Sequence, residues 1–433
     1  MFQISLPSTQ TLAGKIASLP CEQLARTTGF VRRNSGKITA AGFLKTACLF
    51  ALQSTGSLPV FAQLWAVLHG KTLSKQAVQK RCCAAAIAFL EAILQAVISS
   101  LVGGFSMPGL SSSPFKRILI QDSTTLKLPA KLASLFPGSA NQHKESKKQA
   151  SLKIQATLDL VQNRWVQFFI TPFTCNDQSA SPKILECLEA TDLVIRDLGY
   201  LVLDVLRQIQ KTGGYFLSRW RYGLLVAMPD SKTHTNLLML LGKSQIWDQS
   251  VHLGKERLPA RLVAVRLPDA VAAERRRKAR ADRDRRIHHS SDYFELLGWN
   301  IFITNVPQLM LSAQALVKLY ELRWRIEIIF KSWKSHFQLA ELGYPSAEQA
   351  LIAVLGKLIW ICWFTVQFNQ LVAYGTNVSV LKLAAWWSKF AHLTFQSNPL
   401  TPEILEKLVR YYCRYDKRRN RQNFLEKLAA ALG

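Results

Sequence analysis

Acidic residues are scarce in this sequence of 433 residues, where 28 Asp and Glu face 55 Lys and Arg and leave a formal net charge of +27. A surplus of that size must lie on a surface that a polyanion can approach, so nucleic acid is the first partner to consider. Charged residues make up only 19% of the chain and hydrophobic residues 49%, which excludes a wholly flexible basic tail. At about 150 residues per domain, the length predicts about three modules.

Three further features are missing from the sequence. The eight cysteines are scattered, with no CxxC motif and no His pair at zinc spacing near them, so we interpret them as thiols of a reducing cytosol. The start MFQISLPSTQ has no basic segment followed by an apolar run, which argues against a secretory signal. The two most apolar stretches, 84–105 and 350–374, contain Glu91 and Lys357 and are predicted to be core helices rather than membrane spans.

Residues 1–110 have helical periodicity and are predicted to form a helical DNA-binding domain. The segment from 57 to 97 predicts two helices joined at HGKTLS, with Ser74 as the N-cap of the second. An ordinary helical hairpin with a solvated face fits this pattern equally well. The second helix begins with the residue types that a recognition helix offers to bases and phosphates, namely Lys75, Gln76, Gln79, Lys80 and Arg81.

Residues 111–219 change to the alternating pattern of strands. KRILIQDSTTLKLP, SLKIQATLDLV and RWVQFFITPF predict three successive strands, the last two joined by a hairpin at Gln162 and Asn163. A helix at SASPKILECLEAT, a short buried strand at DLVIRDLGY, a second helix and a strand at GYFLSRWR follow. This order predicts the α/β class, with a mixed sheet and helices on its faces.

The rest of the chain divides into three predicted regions: a β-rich segment at 220–305, a segment at 306–345 that contains the helix with Glu327, and a helical region at 346–433. The β-rich segment contains the basic run AAERRRKARADRDRR at 272–286. This run could be a solvated surface helix or a phosphate-contacting one, and the net charge favours DNA contact. The predicted contacts are Arg275, Arg276, Arg277 and Lys278.

The segment LYELRWRIEIIFKSWKSHF, 319–337, contains no Gly or Pro and is predicted to be one helix. At about 100° per residue, four polar side chains share an arc of roughly 60°: Tyr320, Arg323, Glu327 and Lys334. The neighbouring arc is apolar and could dock on a sheet; it carries Leu322, Ile326, Ile329, Phe330 and Trp333. The polar stripe could be an i, i+4 salt-bridge pattern, or a metal-binding carboxylate ringed by phosphate-contacting groups.

Two aspartates make the metal-binding interpretation more attractive. Asp122 follows the apolar run ILIQ, and Asp197 follows LVIR, so both are predicted to lie at strand ends. A strand end fixes a carboxylate while the adjoining turn keeps it accessible. Together with Glu327, the two aspartates could hold two Mg²⁺ ions, which accept substrate phosphate oxygens as further ligands.

The spacing of these residues resembles a known family. Tyr320, Arg323, Glu327 and Lys334 match the Y-R-E-K signature of the insertion sequence 4 family of DDE transposases in type and spacing. The surrounding segments WNIFITNVP, RWRIEIIFKSWKS and DLGY are also similar to that family, and the similarity covers about residues 115 to 360. The N-terminal helices resemble the family's DNA-binding region more loosely.

The resemblance implies an RNase H-like core with a β-rich insertion between the second Asp and the Glu. It implies a catalytic, metal-binding triad of Asp122, Asp197 and Glu327 that uses two Mg²⁺ ions, with Mn²⁺ as a substitute. It further implies phosphate contacts through Tyr320, Arg323 and Lys334, and an activity that cuts DNA at transposon ends and joins it to a target. The implied partners are double-stranded DNA and a second copy of the chain in a synaptic dimer, in the bacterial cytoplasm with the nucleoid.

Some positions depart from this pattern or stay open. Leu198 stands where the family often has Arg, so one phosphate contact is missing. Trp299 is either a core aromatic or a base-stacking residue of a DNA hairpin intermediate. Asp192 and Asp204 lie near Asp197 but on less suitable segments, and for Asp159 and Asp177 a turn or helix cap is the simpler explanation. His288, His289 and His336 are interpreted as incidental.

Two rival functions remain at this stage. A metal nuclease of the same fold would hydrolyse DNA without joining it, and a catalytically silent DNA-binding protein derived from a transposase would do neither. The intact acids and signature disfavour the silent protein.

Overall fold

The computed structural model describes residues 16–33, 36–53, 55–100, 106–107, 113–139, 149–281, 289–373, 378–390, 407, 409–415 and 426–427. Before the first strand, the described residues include the helices α1 (Cys21–Thr27), α2 (Ala40–Ala51), α3 (Leu58–His69), α4 (Lys75–Arg81) and α5 (Ala84–Ser100). The predicted cap is confirmed, because the Ser74 hydroxyl accepts a hydrogen bond of 3.1 Å from the Ala77 amide. The helix predicted to continue from there is interrupted: Cys82 has a non-helical ψ of 78°, and α4 and α5 meet at 62°.

A nine-stranded mixed sheet forms the centre of the described fold, in the order β3-β2-β1-β4-β5-β9-β8-β7-β6. Strands β1, β2 and β3 form an antiparallel meander, and β4 and β5 add in parallel beside β1. From β5 outward every pair is antiparallel, so the predicted β-rich segment extends the same sheet. The strands are β1 (Ile118–Leu128), β2 (Ala150–Asp159), β3 (Arg164–Pro172), β4 (Leu193–Arg196), β5 (Tyr215–Arg219), β6 (Val226–Ala227), β7 (Ile246–Leu253), β8 (Leu258–Arg266) and β9 (Trp299–Thr304).

The prediction that Asp122 ends a strand is wrong. Strand β1 continues to Leu128, and Asp122 pairs with Ala156 of β2 in the middle of it. The apolar run ends at Gln121 because that is where β1 stops pairing with β4, not where β1 itself stops. Asp197 does lie at a strand end, directly after β4.

Helices lie between the strands of the sheet in the sequence and also follow the last strand. The helix predicted at 179–191 is shorter, consisting of α6 (Asp177–Ala180) and a 3-10 turn at Ser181–Glu186. The helix predicted over 319–337 is divided in two by a break at Leu322 and Arg323. The remaining helices are α7 (Leu203–Lys211), α8 (Leu237–Leu241), α9 (Asp269–Arg280), α10 (Ser291–Leu296), α11 (Ala313–Glu321), α12 (Trp324–Ser335), α13 (Ala347–Ala373) and α14 (Val380–Phe390).

The long helix α13 joins the N-terminal helices to the sheet. Gly356 is needed where α13 crosses α2, because a Cβ atom there would lie 2.8 Å from the Ala51 Cβ and 2.9 Å from the Ala47 carbonyl oxygen. On its other side, α13 reaches β3 through a 3.1 Å hydrogen bond from the Trp165 indole to Thr365. Residues 347–372 are long and apolar enough to cross a membrane, but 83% of the most apolar window is buried, as in a core helix. The prediction of a core helix at 350–374 agrees with this burial.

Candidate active site

Strand register brings the two aspartates to the same level of the sheet. Gln121 of β1 pairs with Arg196 of β4, so Asp122 and Asp197 are the next residues on neighbouring parallel strands. After Asp197 the chain turns away into a 3-10 turn at Leu198–Tyr200. β4 therefore stops pairing with β1 before Asp122, and in the described part of the chain this edge of β1 is next hydrogen-bonded at Lys127, whose amide donates to the Ala340 carbonyl at 2.9 Å. Asp197 is half exposed, whereas Asp122 is largely buried.

Helix α12 brings the third acid to this place. Its apolar face packs on the sheet, where Trp333 lies 5.0 Å from Trp165 of β3 between ring centroids. Glu327 lies on the adjoining face, with a third of its side chain exposed. The apolar arc predicted from the sequence is confirmed, since Ile326, Ile329, Phe330 and Trp333 are all buried.

The side chain of Arg323 contacts all three acids. Its guanidinium lies 2.6 Å from Glu327 Oε1, 3.5 Å from Asp122 Oδ2 and 4.0 Å from Asp197 Oδ1. Arg323 itself is buried, at the break between α11 and α12. The structure therefore brings the three predicted acids and the predicted arginine together.

Burial and neighbouring charges change the acidity of this group. Burial raises the pKa of Asp122 to about 6, and the carboxylates of Asp197 and Glu327 raise it as well, whereas the Ser123 amide and Arg323 oppose the rise. Burial alone would lower the pKa of the Arg323 guanidinium, but Tyr320 and the three carboxylates outweigh it and raise that pKa. The electrostatic field here suits a bound cation, because three carboxylates face one guanidinium.

The other two residues of the predicted stripe, Tyr320 and Lys334, differ in burial. The Tyr320 hydroxyl donates a 3.4 Å hydrogen bond to the Arg196 carbonyl, next to Asp197, and its ring packs 4.9 Å from Phe302. Burial raises the pKa of Tyr320 to about 12, so the phenol stays protonated and able to donate. Lys334 is exposed in the last turn of α12.

A cavity of about 310 Å³ opens beside Leu198, on the β9 side of the acids. Its lining combines Trp299 with other aromatic side chains and with arginines: Trp220, Tyr222, Tyr293, Arg219, Arg221 and Arg275. Trp299 is largely buried, as a core residue would be, yet it lines this cavity. Both interpretations of Trp299 therefore have support in the structure.

The basic run has a more structural role than predicted. Arg275 donates to the Trp299 carbonyl at 3.2 Å and to Asn300 at 2.8 Å, and Arg276 donates to the Phe294 carbonyl at 2.9 Å. Arg277 and Lys278 are exposed on α9 but pair with Glu274, at 2.7 and 3.6 Å. Residues 282–286 of the run and His288 lie outside the described residues.

The N-terminal cations also divide into two kinds. Lys75 and Lys80 are exposed on α4. Arg81 instead donates to the Phe30 carbonyl at 2.9 Å and lies 5.6 Å above the Phe30 ring. The structure thus leaves the two lysines available to a phosphate and uses Arg81 to hold the helical region together.

Sequence reasoning missed two residues near the acids. Trp324 has 61% of its surface exposed, beside Ile328 at 40%, and the Arg323 guanidinium lies 5.7 Å from its ring. The available signal was its angle on the helical wheel, which falls outside the apolar arc. Asp177, for which a turn or cap was the simpler explanation and no role was assigned, lies in a partly buried polar network beside Asp122.

Comparison with known proteins gives a consistent result. The family model described as "Transposase DDE domain" matches residues 113–363, more than half of the chain. The transposase for insertion sequence element IS231E of Bacillus thuringiensis subsp. finitimus is 28% identical, over 94% of this chain and 90% of that protein. The transposase for IS231D of the same subspecies is 31% identical over 78% of this chain and 75% of its own, and that for IS1151 of Clostridium perfringens is 24% identical over 91% and 89%. This chain belongs to the transposase DDE domain family.

Proposed function

We propose that the protein is the transposase of an insertion sequence, of the insertion sequence 4 type with the Y-R-E-K signature, and that it cuts DNA at the element's ends and joins them to a target. The observation that carries the proposal is the convergence of Asp122, Asp197 and Glu327 on the single guanidinium of Arg323. The order β3-β2-β1-β4-β5 supports an RNase H-like core. Similarity to insertion-sequence transposases over nearly the whole chain supports the same function.

The acidic centre has the donor chemistry of a magnesium site. All three side chains offer carboxylate oxygens, the ligands that Mg²⁺ and Mn²⁺ prefer. Among the described residues, no three Asp, Glu, His or Cys side chains are already grouped tightly enough to hold one ion, and Arg323 lies among the three acids. We infer that Asp122, Asp197 and Glu327 hold two Mg²⁺ ions when Arg323 turns from them to a DNA phosphate.

Bound Mg²⁺ would lower the pKa of an attacking water or 3′ hydroxyl and stabilise the departing oxygen. The chain's own groups do the rest. Arg323 and Lys334 neutralise phosphates beside the scissile bond, and the protonated Tyr320 phenol donates a hydrogen bond. No covalent protein intermediate is needed, so the 3′ hydroxyl released by cleavage can act as the next nucleophile in the same place.

DNA would be held outside the acidic centre by three surfaces. Lys75 and Lys80 of α4 would contact phosphates of the terminal inverted repeat, and Arg277 and Lys278 of α9 would add phosphate contacts. The cavity beside Trp299 has the aromatic and cationic lining that suits an extrahelical base, which is the requirement of a hairpin intermediate. Synapsis of two ends would bring two copies of the chain together, in the bacterial cytoplasm where the nucleoid lies.

The test uses oligonucleotide duplexes that carry the inverted repeats flanking the gene, with Mg²⁺ or Mn²⁺. Nicking and strand transfer are measured separately, the latter with pre-cut ends. We expect Asp122→Asn, Asp197→Asn and Glu327→Gln each to abolish both reactions, while Asp204→Asn, an exposed control on α7, leaves them unchanged.

The rival functions give different outcomes in the same assay. Cleavage with no joining of pre-cut ends would identify a metal nuclease. DNA binding without cleavage by the parent protein would identify a catalytically silent binder. Cleavage that survives in all three acid variants would refute the proposed active site.

A further inference from the structure

Beside the acidic centre lies a second polar cluster, which we call the Asp177 network. Oδ1 of Asp177 accepts hydrogen bonds from the Ser123 hydroxyl at 3.0 Å, from Lys153 Nζ at 3.2 Å and from Gln155 Nε2 at 3.3 Å. Gln155 and Lys153 are almost completely buried in β2. Asp177 itself begins the short helix α6 and thus comes from a third segment of the chain.

Asp177 does not serve as the cap of α6. That task falls to Asn176, whose side-chain oxygen accepts a 2.8 Å hydrogen bond from the Ser179 amide. Ending a turn or helix would therefore not require Asp177, and its carboxylate points into the sheet instead. The explanation offered by the sequence, a turn or a cap, is replaced by a role in the network.

The network is connected directly to Asp122. The Ser123 amide donates a 2.8 Å hydrogen bond to Asp122 Oδ1, and the Ser123 hydroxyl donates to Asp177. The first bond orients the Asp122 carboxylate and leaves Oδ2 facing Arg323. The second bond fixes the Ser123 side chain on Asp177, which also accepts from Gln155, the partner of Ser123 on β2.

The network also reaches the turn after Asp197. A Cβ atom on Gly199 would lie 3.3 Å from Asp177 Oδ2, so glycine lets the turn approach this carboxylate closely. The next residue, Tyr200, is buried and donates from its hydroxyl to Gln155 Oε1, while Gln155 donates to Asp177. One carboxylate thus contacts the segments that follow both Asp122 and Asp197.

We propose that Asp177 is a positioning residue that fixes the distance between Asp122 and Asp197, and so prepares the two carboxylates for divalent cations. The inference rests on the proposed function. Outer residues that orient ligands commonly change metal affinity or activity by about 10- to 100-fold when they are removed. Lys153 lies 3.2 Å from Asp177 and balances its charge, so Asp177 does not add to the net charge of the acidic centre.

The experiment measures Mn²⁺ binding to the DNA-free full-length protein by electron paramagnetic resonance, and nicking rate against Mg²⁺ concentration. The variants are Asp177→Ala, which removes every acceptor, and Asp177→Asn, which keeps the shape and one acceptor oxygen. Asp204→Ala is the matched control on an exposed aspartate. Urea unfolding of each variant separates a general loss of stability from a change in the site.

We expect Asp177→Ala to weaken Mn²⁺ binding about tenfold and to shift the Mg²⁺ midpoint of nicking by a similar factor, with the rate partly recovered at high Mg²⁺. Asp177→Asn should lie between Asp177→Ala and the parent protein. If Asp177→Ala does not fold, Asp177→Asn and Ser123→Ala, which removes a single bond of the network, decide the question.

Mn²⁺ affinity within twofold of the parent in Asp177→Asn and Ser123→Ala would overturn the positioning role. A loss of Mn²⁺ binding in Asp177→Asn as complete as in Asp122→Asn would also overturn it, because Asp177 would then be a ligand. Failure of the proposed function has a different signature. In that case Asp122→Asn would bind Mn²⁺ as well as the parent protein does.

Discussion

Replacing Arg323 by Gln tests whether this guanidinium balances the three acids. The substitution keeps a polar side chain but removes the positive charge that lies within 4.0 Å of Asp122, Asp197 and Glu327. We expect the variant to be less stable in the presence of a chelator and to recover part of that stability with Mg²⁺, since added cations replace the lost charge.

The size of the effect follows from the exposure of the partners. The Glu327 contact at 2.6 Å is a charge-assisted hydrogen bond, of a kind worth about 1.5–3 kcal/mol. Removing one partner of a buried pair costs about 3–5 kcal/mol, but Asp197 is half exposed and solvent screens its share. We therefore expect a loss of about 2–3 kcal/mol near neutral pH.

The loss should depend on pH in a defined direction. The pKa of Asp122, already raised to about 6 mainly by burial, must rise further once Arg323 is gone. A carboxylate whose pKa is higher in the folded state than in the unfolded state destabilises the fold fully above the folded-state pKa, and this cost decreases as the pH falls from that pKa towards the unfolded-state pKa. The difference between parent and variant should therefore shrink from about pH 8 to about pH 5.

Urea unfolding with chelator, and with excess Mg²⁺, measures each of these quantities. Arg207→Gln is the matched control, because Arg207 also pairs with two acids but on the exposed surface, where a loss below about 1 kcal/mol is expected. A loss in Arg323→Gln no larger than in this control, or one equal at both pH values, would refute the role assigned to Arg323.

Four further substitutions test other parts of the structure. Burial lowers the pKa of Lys357 from 10.5 to about 7, so the free energy of unfolding of the parent protein should rise from about pH 7 to pH 10. Lys357→Met should reduce the slope of this rise, measured by urea unfolding, by up to about 1.4 kcal/mol per pH unit. Gly356→Val forces α13 away from α2 and should cost about 1–3 kcal/mol in thermal unfolding, whereas a similar melting temperature would contradict the close crossing. Lys80→Ala should weaken DNA binding and reduce the slope of log affinity against log salt concentration by about one, which DNA titrations at several salt concentrations measure. Arg81→Ala should mainly lower the melting temperature, because Arg81 holds the Phe30 carbonyl.

The strands of the central sheet could be predicted from local sequence because alternation of polar and apolar residues is a local signal. The strands at 118–128 and 164–172 fall within the segments assigned to them, the strand at 150–159 begins one residue before its segment, and the hairpin lies at Gln162 and Asn163 as predicted. The order of strands could not be predicted in the same way. That β9 returns to pair with β5, 80 residues earlier, depends on packing of the whole sheet.

The error at Asp122 has a physical cause. Local patterns predict where the burial of a strand changes, and the burial of β1 does change after Gln121. Beyond that point β1 keeps its partner β2 and loses β4, so the strand continues, and its other edge is next paired at Lys127, with Glu341. A mid-strand aspartate is held more rigidly than one in a turn, which suits a carboxylate that must keep its place.

The Asp177 network was beyond prediction for a related reason. Its hydrogen bonds join residues 22 to 54 positions apart, and no spacing rule connects a serine on β1 with an aspartate after β3. The polar residues of β2 look like an ordinary alternation in the sequence. These residues are buried because α6 and the turn at Leu198–Tyr200 cover that part of the sheet.

The spacing of Arg323 and Glu327 left two interpretations, a surface salt bridge or part of a metal-binding site, and the structure indicates why they need not exclude each other. The 2.6 Å pair is the i, i+4 contact that helical spacing predicts. The same guanidinium also approaches Asp122, 201 positions earlier in the chain, because α12 packs across the level where β4 ends. On the proposed function, an arginine shared in this way would offset part of the negative charge of the acids before DNA binds, and a phosphate that attracts it away would expose the carboxylates to cations when the substrate arrives.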